Sequence, residues 1–228
     1  MKLFLLGVIF LSTTLTSQAQ DCKAFVPYEE GTKTELTNYD KKGKVTGVVS
    51  QQLTHVSHDG NTSTFTMHQL IKDAKGDNPP LENEMTFKCD NGVFYIDMNG
   101  FLNNQQMDAY KDMEIKLTMD EIDIPSSYKV GQNLKDGYVK MDVTGSPIPI
   151  SFTVNIINRL VVAEEQKTTP AGTFDCVKIS QDVVTKSIMN MTINSVEWYA
   201  EGVGVVRTET YRKGKLMGYS ELTKLEKP

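Results

Sequence analysis

Residues 85–98 read MTFKCDNGVFYIDM, and this stretch decides the fold class. Asn91 and Gly92 form a dipeptide typical of two-residue β-hairpin turns, because both central positions of such a turn need a positive φ. The turn then pairs apolar residues on one face of the hairpin: Met85 with Met98, Phe87 with Ile96, and Cys89 with Phe94. Because turn chemistry and alternation agree, the sequence predicts an antiparallel hairpin with one buried face.

Strand patterns continue on both sides of this hairpin. A second hairpin is predicted from Lys44 to Ile71, with a three-residue loop at residues 58–60 that pairs Phe65 with Leu53. Four later stretches rich in Val, Ile and aromatic residues predict strands: Phe152–Val162, Phe174–Val184, Thr192–Tyr199 and Val203–Tyr211. Residues 101–113 have weaker periodicity and predict one short helix, from Phe101 to Met113.

Two glycines inside otherwise regular strands indicate how the sheet bends. Gly47 and Gly218 each interrupt a strand pattern, and glycine in a strand often marks a bulge or a sharp bend. We therefore expect an all-β, mainly antiparallel domain over residues 20–228, built as a strongly twisted sheet or half-barrel.

The first nineteen residues have the layout of a secretory signal peptide. Lys2 supplies a positive charge, residues 3–15 are mostly apolar, and Ala19 provides a small residue for cleavage. The apolar run is shorter than the roughly 20 residues that a membrane span needs. Lipidation of Cys22 is the alternative, and Asp21 immediately before it disfavours that alternative. We expect an exported protein, periplasmic or extracellular, with no transmembrane anchor.

Charge and cysteine content narrow the class further. The formal net charge is −5, which argues against nucleic acid and against anionic lipid surfaces as partners. The three cysteines, Cys22, Cys89 and Cys176, are the disulfide candidates. In an oxidising compartment one pair is expected, and we expect Cys22 to bond with one of the two strand cysteines.

The residue patterns of common enzyme sites are missing from the sequence. No nucleophile elbow of the form Gly-x-Ser-x-Gly occurs, and the lone Gly202-Val203-Gly204 lacks the third glycine of a dinucleotide site. The three histidines, His55, His58 and His68, do not converge in the expected register, so no metal site is predicted. We expect no catalytic residues, no cofactor and no enzymatic activity.

Trp198 and Tyr199 are the candidate ligand-binding residues. They are adjacent aromatic residues that precede a glycine-bounded turn. Strand alternation lets only one of them face the concave side of the sheet. Tryptophan is larger and more apolar, so we expect Trp198 to take the inner position.

Four segments resemble the exported TapB-like family of bacterial envelope proteins, whose domain has no assigned function. They are residues 22–27 (CKAFVP) with Gly31, residues 128–132 (YKVGQ) after 124–126 (IPS), residues 169–176 (TPAGTFDC) and residues 198–206 (WYAEGVGVV). The third and fourth segments are the most specific. The resemblance implies a curved antiparallel sheet, similar to lipoprotein-carrier folds, and supplies no catalytic residues.

Two functions are compatible with these features. The first is a non-catalytic envelope protein that binds a lipid or another apolar small molecule in the concave face. The second is a structural or protein-interaction domain of the envelope, with a protein partner and a groove filled by its own side chains. A binding protein should contain an apolar pocket lined by aromatic residues and methionines, whereas a scaffold should have a packed interior.

Overall fold

A computed structural model describes residues 23–98, 113–145, 150–187 and 190–228, and β-strands dominate it. The thirteen strands within these residues are β1 (Lys33–Asp40), β2 (Val45–Asp59), β3 (Thr62–Asp73), β4 (Leu81–Asp90), β5 (Val93–Ile96), β6 (Glu114–Asp120), β7 (Ile122–Pro125), β8 (Gly137–Thr144), β9 (Ile150–Thr169), β10 (Gly172–Lys186), β11 (Met191–Ala200), β12 (Gly204–Arg212) and β13 (Lys215–Glu226). The predicted all-β class is confirmed. The predicted signal peptide, Cys22 and the predicted helix lie outside the described residues, apart from the helix's last residue, Met113, which is exposed.

The strands form one antiparallel sheet that curls until it is nearly a closed barrel. The strand order is β6-β8-β9-β10-β11-β12-β13-β1-β2-β3-β4-β5-β7. The two edge strands, β6 and β7, follow one another in the chain with only Glu121 between them. The two edges of the sheet therefore return to the same place, which we call the seam. The expectation of a strongly curved sheet is confirmed.

Gly47 and Gly218 lie where the sheet bends, as the sequence predicts. A Cβ atom on Gly47 would lie 2.8 Å from the main-chain oxygen of Lys72, and one on Gly218 would lie 2.6 Å from that of Tyr39. Each glycine also lies next to a shift in strand register. Register shifts of this kind bend a strand and increase its twist, which helps an open sheet to curl.

The hairpin of β4 and β5 has the predicted register as far as β5 extends, and the predicted pair of Met85 with Met98 lies beyond the end of β5. Phe87 pairs with Ile96 and Cys89 pairs with Phe94. Asn91 and Gly92 have φ values of 48° and 79°, as a two-residue turn with two left-handed positions requires.

The hairpin of β2 and β3 differs from its predicted register. Phe65 pairs with Val56 rather than Leu53, and Leu53 pairs with Met67. The turn centres on Gly60 and Asn61, and Thr54 is an extra residue that shifts the pairing between Leu53 and His55. The apolar residues of this hairpin are nevertheless buried on one face: Leu53, Phe65 and Met67. The turn differs from the predicted one by one residue, and the extra residue Thr54 compensates for that difference.

Arg159 connects the two sides of the seam. It lies on β9, near the β6 edge, and it is only 1% exposed. Its Nη1 atom donates hydrogen bonds to the main-chain oxygen of Asp123 on β7, at 2.9 Å, and to that of Lys135, at 2.6 Å. One guanidinium group thus joins β9 to the opposite edge of the sheet.

Candidate functional site

The barrel interior contains a cavity of about 250 Å³, which we call the interior cavity. Aromatic and aliphatic side chains, two of them methionines, form most of its wall: Phe25, Val26, Leu36, Met67, Met85, Phe87, Phe94, Ile96, Ile122, Val203 and Val205. Polar residues line the remainder: Gln51, Gln69, Gln181, Glu197, Tyr199, Thr208 and Ser220. The cavity therefore has a large apolar region and a smaller polar region.

Glu197 organises the polar region. Its Oε1 atom accepts hydrogen bonds from Gln181 Nε2, at 3.0 Å, and from Ser195 Oγ, at 2.7 Å. Its Oε2 atom accepts a hydrogen bond from the hydroxyl of Tyr199. Ser195, Glu197 and Tyr199 alternate along β11, and Gln181 lies opposite Ser195 on β10, so local strand geometry brings the four side chains together.

Arg159 extends this network toward the seam. Its Nε atom donates to Gln181 Oε1, at 3.1 Å, while the amide of Gln181 donates onward to Glu197. Burial lowers the pKa of Arg159, and the nearby Tyr199 and Asp123 act in the opposite direction. Burial, reinforced by the charge of Glu197, raises the pKa of Tyr199 well above its ordinary value. Tyr199 therefore stays protonated at neutral pH and acts as a hydrogen-bond donor.

A second, open concavity of about 800 Å³ lies beside the cavity, and we call it the outer groove. Phe25, Tyr199 and Val203 line both spaces. The ring of Phe25 packs edge-on against those of Tyr199, with centroids 5.9 Å apart, and Phe94, at 5.7 Å. Phe25 and Tyr199 thus lie between the groove and the cavity.

The comparisons with known proteins agree with this architecture. A family model described as DUF3108-like matches residues 29–222. The chain belongs to this DUF3108-like family. No curated protein matches the chain.

Two solved structures share the fold of this DUF3108-like chain. A protein of Bacteroides fragilis, described as exported with a YmcC-like fold, is 22% identical and has a TM-score of 0.73; the match covers 90% of this chain and all of that one. A protein of Parabacteroides distasonis, described as a lipoprotein, is 27% identical with a TM-score of 0.74; the match covers 91% of this chain and all of that one.

The predicted orientations of Trp198 and Tyr199 are wrong, although the predicted alternation is present. Tyr199 faces the interior cavity, and Trp198 lies on the opposite face of β11 in a separate small core. Trp198 is only 3% exposed, because Lys167 and Lys178 lie over its ring at 4.3 and 4.7 Å from the centroid. Its indole N–H donates a hydrogen bond to Glu165 at 2.6 Å. The outer face of β11 therefore provides both apolar packing for the ring and an acceptor for its N–H.

The two described cysteines are both buried, in different cores of this DUF3108-like domain. Cys89 belongs to the main core, and Cys176 packs with Trp198 on the opposite face. Cys176 is a free thiol, and burial raises its pKa to about 11. It is therefore protonated and unreactive at neutral pH.

The histidines lie apart from the interior cavity. His55 is 3.2 Å from Glu30, His58 contacts Ser63, and His68 is 3.7 Å from Glu82. In the described part of the chain, no group of three or more His, Cys, Asp or Glu side chains could hold a metal ion. The same residues contain no helix of sufficient length and apolarity to span a membrane.

The sequence pattern does not predict Glu197, Gln181 or Arg159 as site residues. The only local signal is the alternation of Ser195, Glu197 and Tyr199, which is also the pattern of a solvent-facing strand. Their convergence depends on pairing between β9, β10 and β11 and on closure of the barrel.

Proposed function

We propose that this chain is an exported, non-catalytic envelope protein that binds a small apolar molecule, or the apolar part of a lipid, in the interior cavity. The observation that carries the proposal is the cavity itself, which combines an apolar wall with a small set of convergent polar groups. This combination is characteristic of small-molecule binding sites. The alternative, a structural or interaction domain of the envelope, predicts an interior filled by its own side chains.

The volume of the interior cavity restricts the ligand. At about 250 Å³ it lies slightly below the range of about 300–1,000 Å³ that is usual for ligand pockets. A dry apolar cavity of roughly 150 Å³ can hold a benzene molecule, so the space suffices for a short amphiphile. A larger lipid would need Phe25 to move, which would join the cavity to the outer groove.

The location in the envelope is supported by two observations. The first nineteen residues have the layout of a signal peptide, and the two structural neighbours are described as an exported protein and a lipoprotein. Membership of the narrower TapB-like group stays a prediction.

A cavity-filling substitution tests the proposal. Ser220 is a small residue that lines the cavity on β13, so Ser220→Leu should fill part of the space with an apolar side chain. We expect octanol to bind the wild-type protein saturably in calorimetric titration, and Ser220→Leu to weaken this binding at least about tenfold. Glu226→Leu is the matched control, because Glu226 is exposed at the end of the same strand.

The outcomes separate the two functions. Saturable binding that is lost in Ser220→Leu and retained in Glu226→Leu supports a ligand-binding cavity. If neither octanol nor octanoate binds, and native mass spectrometry of protein purified from its own envelope finds no small molecule attached, the binding function is wrong. The structural alternative would then be preferred.

A further inference from the structure

We propose that Glu197 selects uncharged amphiphiles whose head group donates a hydrogen bond, and that it excludes amphiphiles with an anionic head group. This inference rests on the proposed function and names the chemical class of the ligand. It follows from the hydrogen-bond directions and the charge inside the cavity.

Glu197 is the one charged side chain among the described residues that line the interior cavity. The nearby cation, Arg159, does not line the cavity, and its Nε and Nη1 atoms already donate to Gln181, Asp123 and Lys135. An anionic head group in the polar region would therefore meet the carboxylate directly, whereas the nearest cation, Arg159, lies behind Gln181 and outside the cavity lining. Like charges placed together at a partly buried site repel each other more strongly than they do in bulk water.

The hydrogen-bond directions favour a donor in the ligand. Tyr199 and Gln181 donate to Glu197, and Oε1 of Gln181 accepts from Arg159. Two donors of the polar region, Tyr199 and Gln181, are therefore already directed at Glu197. A carboxylate can accept about four hydrogen bonds, and Glu197 accepts three from side chains in the described part of the chain. It retains capacity for one more, which a ligand hydroxyl can donate.

The apolar region explains why an uncharged head is preferred to a cationic one. Eleven apolar side chains of the described residues line the cavity, and Arg159 already lies near Glu197 through Gln181. Burial of an ammonium group carries a large desolvation cost that one carboxylate seldom offsets. A hydroxyl avoids this cost and still satisfies the free acceptor of Glu197.

Octanol and octanoate provide a matched pair of probes, since they differ mainly in the head group. We expect wild-type protein at pH 7 to bind octanol at least about tenfold more tightly than octanoate. Glu197→Gln removes the charge at nearly constant shape, so it should narrow this ratio by strengthening octanoate binding. If that variant does not fold, Glu197→Met provides the same test.

Glu209 provides the control, because it resembles Glu197 locally but lies outside the cavity. It accepts a hydrogen bond from Tyr211, two residues later on the same strand, at 2.6 Å, just as Glu197 does from Tyr199. Glu209→Gln should therefore leave the octanol-to-octanoate ratio unchanged. Equal or tighter octanoate binding in the wild type, or a ratio that Glu197→Gln does not alter, overturns the role of Glu197 and leaves the binding function standing. Failure of both probes to bind any variant, together with the absence of a bound small molecule in native mass spectrometry, overturns the binding function as well.

Discussion

Arg159 Nη1 lies 2.9 Å from the main-chain oxygen of Asp123, and this contact crosses the seam between the two edges of the sheet. Both edges end near this point, since β6 and β7 are separated by Glu121 alone. A buried arginine is costly to desolvate unless its donors are satisfied. Here Nε and Nη1 both donate hydrogen bonds, so the guanidinium group holds β9 to β7 at the seam, where strand pairing ends.

Arg159→Met should destabilise the protein by roughly 3 kcal/mol, because it leaves a buried acceptor at Gln181 and partly buried acceptors at Asp123 and Lys135 without their donor. Arg212→Met is the control, since Arg212 is exposed at the end of β12, and it should cost less than about 0.5 kcal/mol. Urea denaturation of the two variants measures both values. Equal stabilities would show that the seam does not depend on this side chain.

Gly92→Val should destabilise the β4–β5 hairpin by about 1 kcal/mol or more, because a β-branched residue is strained at the observed φ of 79°. Gly92→Asn should cost less, since asparagine tolerates the left-handed region better than other residues do. Thermal unfolding distinguishes them. A melting temperature that falls equally for both variants would contradict the conformational explanation.

The hairpins show which parts of the fold are predictable from sequence. At residues 85–98, Asn91-Gly92 specifies the turn, and the apolar alternation fits only one register. In the β2–β3 hairpin, Gly60 is compatible with more than one loop, and the bulge at Thr54 is invisible to a simple alternation rule. Local signals therefore predicted the buried residues there but not their partners.

The candidate site depended on information that no single strand contains. The adjacent residues Trp198 and Tyr199 could each satisfy either face of β11. Two hydrogen-bond acceptors explain the observed orientation. Glu165 accepts a hydrogen bond from the indole N–H on the outer face, and Glu197 accepts one from the tyrosine hydroxyl on the inner face. Both faces of this strand are covered, so size and apolarity alone did not determine which side chain points inward.

We expect a single disulfide, between Cys22 and Cys89. The main-chain N–H of Lys23 donates to Ser126 Oγ at 2.9 Å, and that of Ser126 donates to the main-chain oxygen of Gly92 at 2.7 Å. The residue after Cys22 is therefore linked through Ser126 to the turn of the β4–β5 hairpin, which contains Cys89, while Cys176 is a free thiol.

Peptide mapping after alkylation under non-reducing, denaturing conditions measures the pairing. Cys176 should be the labelled residue, and it should resist labelling in the folded protein because burial raises its pKa to about 11. A peptide that links Cys22 to Cys176, or three labelled cysteines, would contradict this pairing.

Trp198 emission should respond to acid rather than to ligands, because the tryptophan lies on the opposite face of β11 from the interior cavity. The hydrogen bond from its indole N–H is the largest cause that lowers the pKa of Glu165 below the ordinary 4.5. A carboxylate with a lowered pKa in the folded state stabilises the protein above its unfolded pKa, and that contribution is lost as the pH falls through the folded value. The emission should therefore stay constant from pH 7 to about pH 5 and change only below the ordinary glutamate pKa.

Glu165→Gln should remove the acid-dependent change, whereas Glu209→Gln should retain it. A saturable shift of the emission on addition of octanol at pH 7 would contradict the assignment of Trp198 to the outer face.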